Sequence, residues 1–493
     1  MKIDTKNMLS QRMNNNEFKF KLITERDEQN KILGIVNNYI PFFMRQLWES
    51  PKSVATILLK SERTEIKKYL AFITHNLYDN ISSLNHKDDQ LIYIITLLLK
   101  EEFKSLKSIK NYYFSDRCGM ILEELSKKKD LKLFFKTVVL EIIKKIENDY
   151  SNKDIIFEPS KIKMRLAKLN KYEKEHNIKE NNDKNNNKCN NEDVQNNNYN
   201  NNNIFLNFNK NKLEQKLSDT KDKDMKDFLR NIIDDCAIFP DKYSNNNLLN
   251  NIYKEAPDNL DDIINYYNIS FKQTADIIDM LFENLLNKSD CLPYYIKCIC
   301  KIISILIEKK YPKAIRVEKN KFLVYFFFHN LFFPTLIKPS LNFFINEIII
   351  SDSTINKFQI ILTILNNMTL GELFEADCFT PFNWYIVEKI SKLIKFFDNI
   401  CQINLPPFIE KLINDELPED YEYNYFKENP EENILYRNIC YNFDELYSLI
   451  SSALKLKEEI SIDKNLLSKF KFYKNDLDKL KNILNNENSN KLN

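Results

Sequence analysis

The stretch Phe322–Pro339, FLVYFFFHNLFFPTLIKP, decides how the chain is read. Aromatic and aliphatic side chains stand side by side along it, as they do in a membrane segment. His329 and Asn330 interrupt it, and Pro334 follows within one turn. It therefore falls short of the roughly 20 uninterrupted apolar residues that a bilayer-spanning helix needs. It reads as a buried helix of a soluble protein, carrying a polar pair that must find hydrogen bonds wherever it is buried. LIYIITLLL (91–99) is also too short to span, and MKIDTKNMLSQRMNNNEFKFK at the N-terminus has no apolar signal core.

Working outward, helical periodicity dominates. Ile66, Leu70, Ile73, Leu77 and Ile81 keep one face, as do Leu446, Leu449, Ile450, Ala453 and Leu456, and Leu477, Leu480 and Leu484 make a short stripe near the end. Strand-like alternation is nowhere sustained. The expected fold class is all-α, a helical bundle. There are only three glycines, Gly34, Gly119 and Gly371, all far apart. A phosphate-binding Gly-x-x-x-x-Gly-Lys loop and a three-glycine dinucleotide fingerprint are both excluded, and a turn-rich β architecture is disfavoured.

The 493 residues allow roughly three domains as a soft bound. Lys and Arg (72) almost cancel Asp and Glu (70), which argues against nucleic acid as a partner. The nine cysteines are scattered and the four histidines lie far from one another, so no metal site and no cofactor is expected, and the thiols read as free in a reducing compartment. Residues 177–203 are almost wholly Asn with Lys, Asp and Glu. Such a segment buries too little apolar surface to offset its ordering entropy, so it reads as a disordered insertion in a loop.

Several motifs then occur in order. MRQLWESPKSVATILLK (44–60) is followed by LIYIITLLLKEEFK (91–104), NYYFSDRCGMILEELS (111–126), LKLFFKTVVLEIIKKIEND (131–149) and FEPSKI (157–162). After the Asn tract come CLPYYIKCICKII (291–303), FFFHNLFFPTLIKP, ISDSTIN (350–356) and ILYRNICYNFDELYSLI (434–450). This order resembles the Ras GTPase-activating (Ras-GAP) domain family, and the last segment is similar to its IQGAP-like and endocytic branch. The resemblance covers about 42–457. It leaves 1–41 as an N-terminal extension and 458–493 as a C-terminal helical tail.

The resemblance implies a Ras-GAP-like helical domain that receives a small GTPase of the Ras or Rab type in a groove. It also implies a role in vesicle trafficking or endocytosis, in the cytoplasm or at the periphery of endocytic membranes. Glu158, Pro159 and Lys161 match the family's acidic-Pro-x-Lys signature. The groove would be lined by Lys107, Lys110, Ser115, His329, Asn330 and Pro334. Lys104, Lys107 and Lys110, three apart, would share one helix face if the helix persists, and could steer an acidic GTPase surface.

Two positions depart from the family's pattern. The arginine finger should fall on Tyr113, Phe114 or Ser115, and Arg117, two to four positions late, is the displaced candidate for the catalytic residue. Otherwise Arg117 stabilises a surface or loop. Counting back four residues from Pro334 puts Asn330 where the family has a supporting arginine. The polar pair then faces either the groove or the core, satisfied there by backbone. Catalytic activation is thus in doubt, and binding without catalysis is the favoured reading. A helical scaffold with no GTPase partner is the alternative, although no repeat period supports an array. Deleting 180–203 is expected to leave the melting temperature and partner binding nearly unchanged. A loss of several degrees in a thermal melt would show that the tract is ordered.

Overall fold

The computed structural model describes residues 39–77, 89–149 except 111, 155–168 except 159, 260–337, 351–374, 378–417 and 443–472, with isolated positions at 171, 218 and 230. Among these residues every regular element is a helix and no strand occurs, so the all-α reading holds. The Asn tract, Pro159, Pro339 and the 477–484 stripe lie outside the described residues.

In chain order the helices are α1 (Ile40–Glu49), α2 (Pro51–Lys60), α3 (Arg63–Ala71), α4 (Asp89–Ser105), α5 (Asp116–Leu125) and α6 (Lys129–Asp149). They continue with α7 (Leu260–Asn287), α8 (Tyr294–Lys310), α9 (Arg316–Val324), α10 (Phe333–Ile337), α11 (Asp352–Leu370), α12 (Asn383–Cys401), α13 (Pro407–Ile413), α14 (Phe443–Lys455) and α15 (Lys464–Phe472). Two π-helical turns intervene, Phe72–Leu77 after α3 and Tyr325–Phe332 after α9. Proline opens α1, α2 and α13 in the first helical turn, where its missing N–H costs nothing.

The chain divides into two compact units. One comprises 1–129, 293–312 and 402–493, and the other 130–292 and 313–401. None of the four boundaries falls at the Asn tract, and each unit draws on sequence from both sides of it.

In the first unit, α3 and its π turn bury Ile66, Leu70, Ile73 and Leu77, and α14 buries Leu446, Leu449, Ile450 and Ala453 in the same apolar cluster. The two stripes read from the sequence thus serve one core. Residues expected as a tail belong to this core as well. Ile460, Ile462, Leu466, Leu467 and Phe470 are buried with Phe43 and Leu47, and the Phe43 and Phe470 rings meet edge to face at 5.4 Å. The backbone N–H of Ser461 donates to Ser53 Oγ at 2.9 Å and that of Asp463 to Gln46 Oε1 at 2.8 Å, which ties the segment down.

The second unit is built around phenylalanine. Phe135 of α6 lies 6.0 Å from Phe327 and 5.1 Å from Phe332, while Phe327 also meets Phe396 of α12 at 5.2 Å. α12 joins α7 through Lys389, almost wholly buried, whose ammonium pairs with Asp279 and lies 4.6 Å above the Tyr385 ring. The Tyr385 hydroxyl donates to the Ala275 carbonyl at 3.0 Å. Helix α11 starts and stops by local chemistry. Ser351 caps its N-terminus, accepting from Thr354 N–H at 3.2 Å, and both carboxylate oxygens of Glu147 accept from Ser351. Burial alone would raise the Glu147 carboxyl, but hydrogen bonds from Thr354 and Ser351 hold it below the ordinary range. Gly371 ends the helix with φ +67°, a left-handed conformation that glycine adopts without penalty.

The stretch Phe322–Pro339 is helical through Ile337, but not uniformly α. A π turn occupies Tyr325–Phe332, with Phe333 N–H bonded to Phe328 O, and α10 carries Pro334 in its first turn. A proline ring inside an α-helix collides with the carbonyl four residues back, and π widening is a recognised accommodation of such irregularity. Asn330 supplies a further donor, its Nδ2 bonding the Tyr325 carbonyl at 3.1 Å. His329 stacks on Tyr325 at 5.0 Å and meets the edge of Phe333 at 5.0 Å. Both polar residues and Tyr325 are half-buried, while Phe326, Phe327, Phe328, Phe332 and Phe333 are buried.

Burial lowers the His329 pKa from 6.5 to about 4, with Glu372 pulling weakly the other way. Between those values the unfolded chain takes up a proton at this position and the folded chain does not. The side chain therefore withdraws stability as the pH falls through that window. His329→Phe keeps the ring stack and abolishes this uptake. Its melting temperature, followed by calorimetry from about pH 7 to about pH 4.5, is expected to fall less than that of the wild type. Parallel curves would mean that the imidazole titrates as it does in water.

Candidate functional site

The segment between α4 and α5, residues 106–115, exists because α4 stops at Ser105. Its last carbonyls have no partners within the helix. Lys310, the last residue of α8, places its ammonium on the carbonyls of Phe103 and Lys104, the latter at 3.0 Å, and the Tyr311 hydroxyl donates to Leu106 O at 3.3 Å. A lysine at a helix C-terminus satisfies carbonyls and complements the helix dipole together. The helix therefore does not persist through the three spaced lysines. Lys104 sits on its last turn, whereas Lys107 and Lys110 follow in irregular chain, and all three are exposed. The expected shared helical face is corrected to a cationic loop edge.

The far end of the loop is fixed by Glu102. One of its carboxylate oxygens accepts from Ser115 N–H at 2.6 Å and the other from Ser115 Oγ at 2.6 Å. Ser115 in turn caps α5, accepting from Cys118 N–H at 3.3 Å. Its hydroxyl is thus engaged as both donor and acceptor. Between these clamps, Tyr112 is buried and stacks on Tyr113, with ring centroids 4.6 Å apart and hydroxyls 3.2 Å apart. Phe114 is buried, while Tyr113 is 55% exposed. Of the three positions at which a finger was expected, one is a core residue, one is a helix cap and one projects.

Arg117 lies in the first turn of α5, half-buried. Its Nη2 donates to the Ser61 carbonyl at 3.0 Å, just past the end of α2. Beside it, Arg63 pairs with Asp116 at 2.7 Å. The guanidinium fastens the α2–α3 connection to α5. At the other end of α5, Glu124 accepts from His75 at 3.1 Å and from Lys127 at 2.6 Å. Burial pushes its carboxyl up, but these two bonds prevail and hold it below the ordinary carboxylate range.

The second unit holds the remaining expected residues. His329 is neutral near pH 7, its Nε2 has no hydrogen-bond partner among the described residues, and Asn330 is bonded to backbone. Neither carries a positive charge near neutral pH, so neither stands in for the supporting arginine that the resemblance implies at position 330. The signature residues Glu158 and Lys161 are both exposed and pair with each other at 2.5 Å. Their apolar neighbours carry the packing. Phe157 lies 5.2 Å from Tyr267, and Ile162 is fully buried.

Glu102, Lys310 and Tyr311 shape the loop and went unrecognised in the sequence. No short-range signal marks the last two, since they are some two hundred positions from the carbonyls they satisfy. Glu102 has a weak one, being an acidic residue on the helix that enters the loop.

A family model described as GTPase-activator protein for Ras-like GTPase matches residues 94–368. No match was found among curated proteins. The matched segment exceeds half of the chain and spans the α4–α5 loop, the signature after α6 and the π-helical stretch, and the chain belongs to the Ras GTPase-activating protein family.

Proposed function

We propose that the protein binds a small GTPase of the Ras or Rab type through the edge formed by Lys104–Arg117, and that it does so without supplying an arginine finger. One observation carries this reading: the guanidinium of Arg117, the arginine nearest the finger position, is bonded to the Ser61 carbonyl. Finger catalysis requires a guanidinium in reach of the developing charge on the γ-phosphate, which is worth about 10³–10⁵ in rate. The positions where a finger was expected hold Tyr113, Phe114 and Ser115, none of which carries a positive charge. Lys107, Lys110 and Ser115 in the first unit, and His329, Asn330 and Pro334 in the second, are proposed contacts of the GTPase on the strength of the family resemblance. Glu158, Pro159 and Lys161 are proposed to serve folding of the family signature.

The same reading places the protein in vesicle trafficking or endocytosis, working in the cytoplasm and reaching membranes through its partners. The IQGAP-like character of 434–450 supports this placement. Among the described residues no helix is long and apolar enough to cross a membrane. The six cysteines described are all free thiols, as a reducing compartment favours.

A pull-down with a panel of small GTPases, each loaded with GDP and with a GTP analogue, tests the partner class. Single-turnover hydrolysis then tests the mechanism. The wild type at saturation is expected to give no stimulation. Arg117→Ala is expected to lower stability by about 1 kcal/mol through the lost bond to Ser61, with the hydrolysis rate unmoved. Strong stimulation by the wild type, cut about 10³-fold or more in Arg117→Ala at equal affinity, would establish a finger instead.

A further inference from the structure

We propose that Tyr113 is the anchor by which the loop holds its partner: an aromatic plug that enters an apolar pocket rimmed by carboxylates on the GTPase surface. The inference rests on the reading above that the partner is a small GTPase, and it names the residue that decides affinity.

Three observations lead to it. The first is direction. Phe114 is buried and Ser115 is held by Glu102 and Cys118, so Tyr113, 55% exposed, is the side chain that projects from the finger positions. The second is preorganisation. The ring is stacked on buried Tyr112, and the loop is pinned at one end by Lys310 and Tyr311 and at the other by Glu102. Binding energy is lost to the ordering of side chains and loops on association, and a ring that is already held avoids much of that loss. Tyrosine is also enriched among the residues that dominate interface affinity.

The third observation is charge. Lys107 and Lys110 are exposed and have no ion-pair partner among the described residues. The acidic groups nearby are already committed: Glu101 to Lys104 at 3.5 Å, Asp116 to Arg63, and Glu102 to Ser115. The loop that carries the ring therefore also presents unmatched positive charge at Lys107 and Lys110, and the complementary surface is acidic around an apolar centre. A phenol has no positive charge to offer a phosphate, so the residue grips and does not catalyse.

The test uses the full chain against purified Ras- and Rab-type GTPases loaded with GDP or a non-hydrolysable GTP analogue, with association and dissociation rates read by biosensor. Tyr113→Ala is expected to weaken binding about 10- to 100-fold, mainly through faster dissociation, with an unchanged thermal melt. Tyr113→Phe is expected to bind within about twofold of the wild type, because the ring and not the hydroxyl fills the pocket. The double variant Lys107→Ala/Lys110→Ala is expected to slow association and flatten its salt dependence. A GTPase bound equally well by the wild type and by Tyr113→Ala would overturn the anchor while leaving the partner class intact. Tyr113→Phe losing as much as Tyr113→Ala would overturn the plug. Failure of the wild type to bind any GTPase of the panel would overturn both readings.

Discussion

The ammonium of Lys310 on the open carbonyls of α4 is the contact on which the candidate site depends. A helix of good formers has no reason of its own to stop at Ser105, and LLLKEEFKS reads as helix throughout. What stops it is tertiary. The end of α8 brings a cation and a phenol to carbonyls that the next turn would otherwise have covered. Once α4 is closed there, residues 106–110 leave the helix axis, and Glu102, one turn back, reaches Ser115 and pulls the chain into α5. The loop is thus a small clamped arch whose two feet stand on the same helix.

Much of the fold was legible because it rests on periodicity. The stripes at 66–77 and 446–453 are buried faces of one core, as a 3.6-residue period demands. The family was legible too, through motif order. The parts that escaped depend on partners distant in sequence. Nothing local distinguishes Lys310 from the other lysines of its helix. The short segment 458–472 has too little periodic pattern to announce itself as core, and it gains its place through backbone donors to Ser53 and Gln46. The lysines at 104, 107 and 110 misled for the opposite reason: their spacing was right for a helix that tertiary contacts end early.

The polar pair in the aromatic helix resolves into two different solutions. Asn330 donates to a carbonyl within its own π turn, five residues back. His329 accepts desolvation instead, with its imidazole between Tyr325 and Phe333 and uncharged at neutral pH. A charged histidine in that setting would have lost its hydration with only the weak counter-pull of Glu372. The stretch tolerates two polar side chains because one is hydrogen-bonded and the other is uncharged.

Electrostatics then separates binding from activation. Speeding GTP hydrolysis in this family's manner calls for mobile positive charge delivered to a phosphate in a water-poor site. In the first unit the arginine nearest the finger position is tied to the backbone beyond α2, and in the second the arginine position is an amide tied to its own helix. The free positive charge of the α4–α5 segment sits on Lys107 and Lys110, in solvent, where it is screened beyond about 8–10 Å and acts on the rate of encounter more than on chemistry. On the proposed reading, Lys107 and Lys110 steer and Tyr113 holds, which are the parts of a binding surface. Guanidinium groups free to move at the same positions would be the parts of a catalyst.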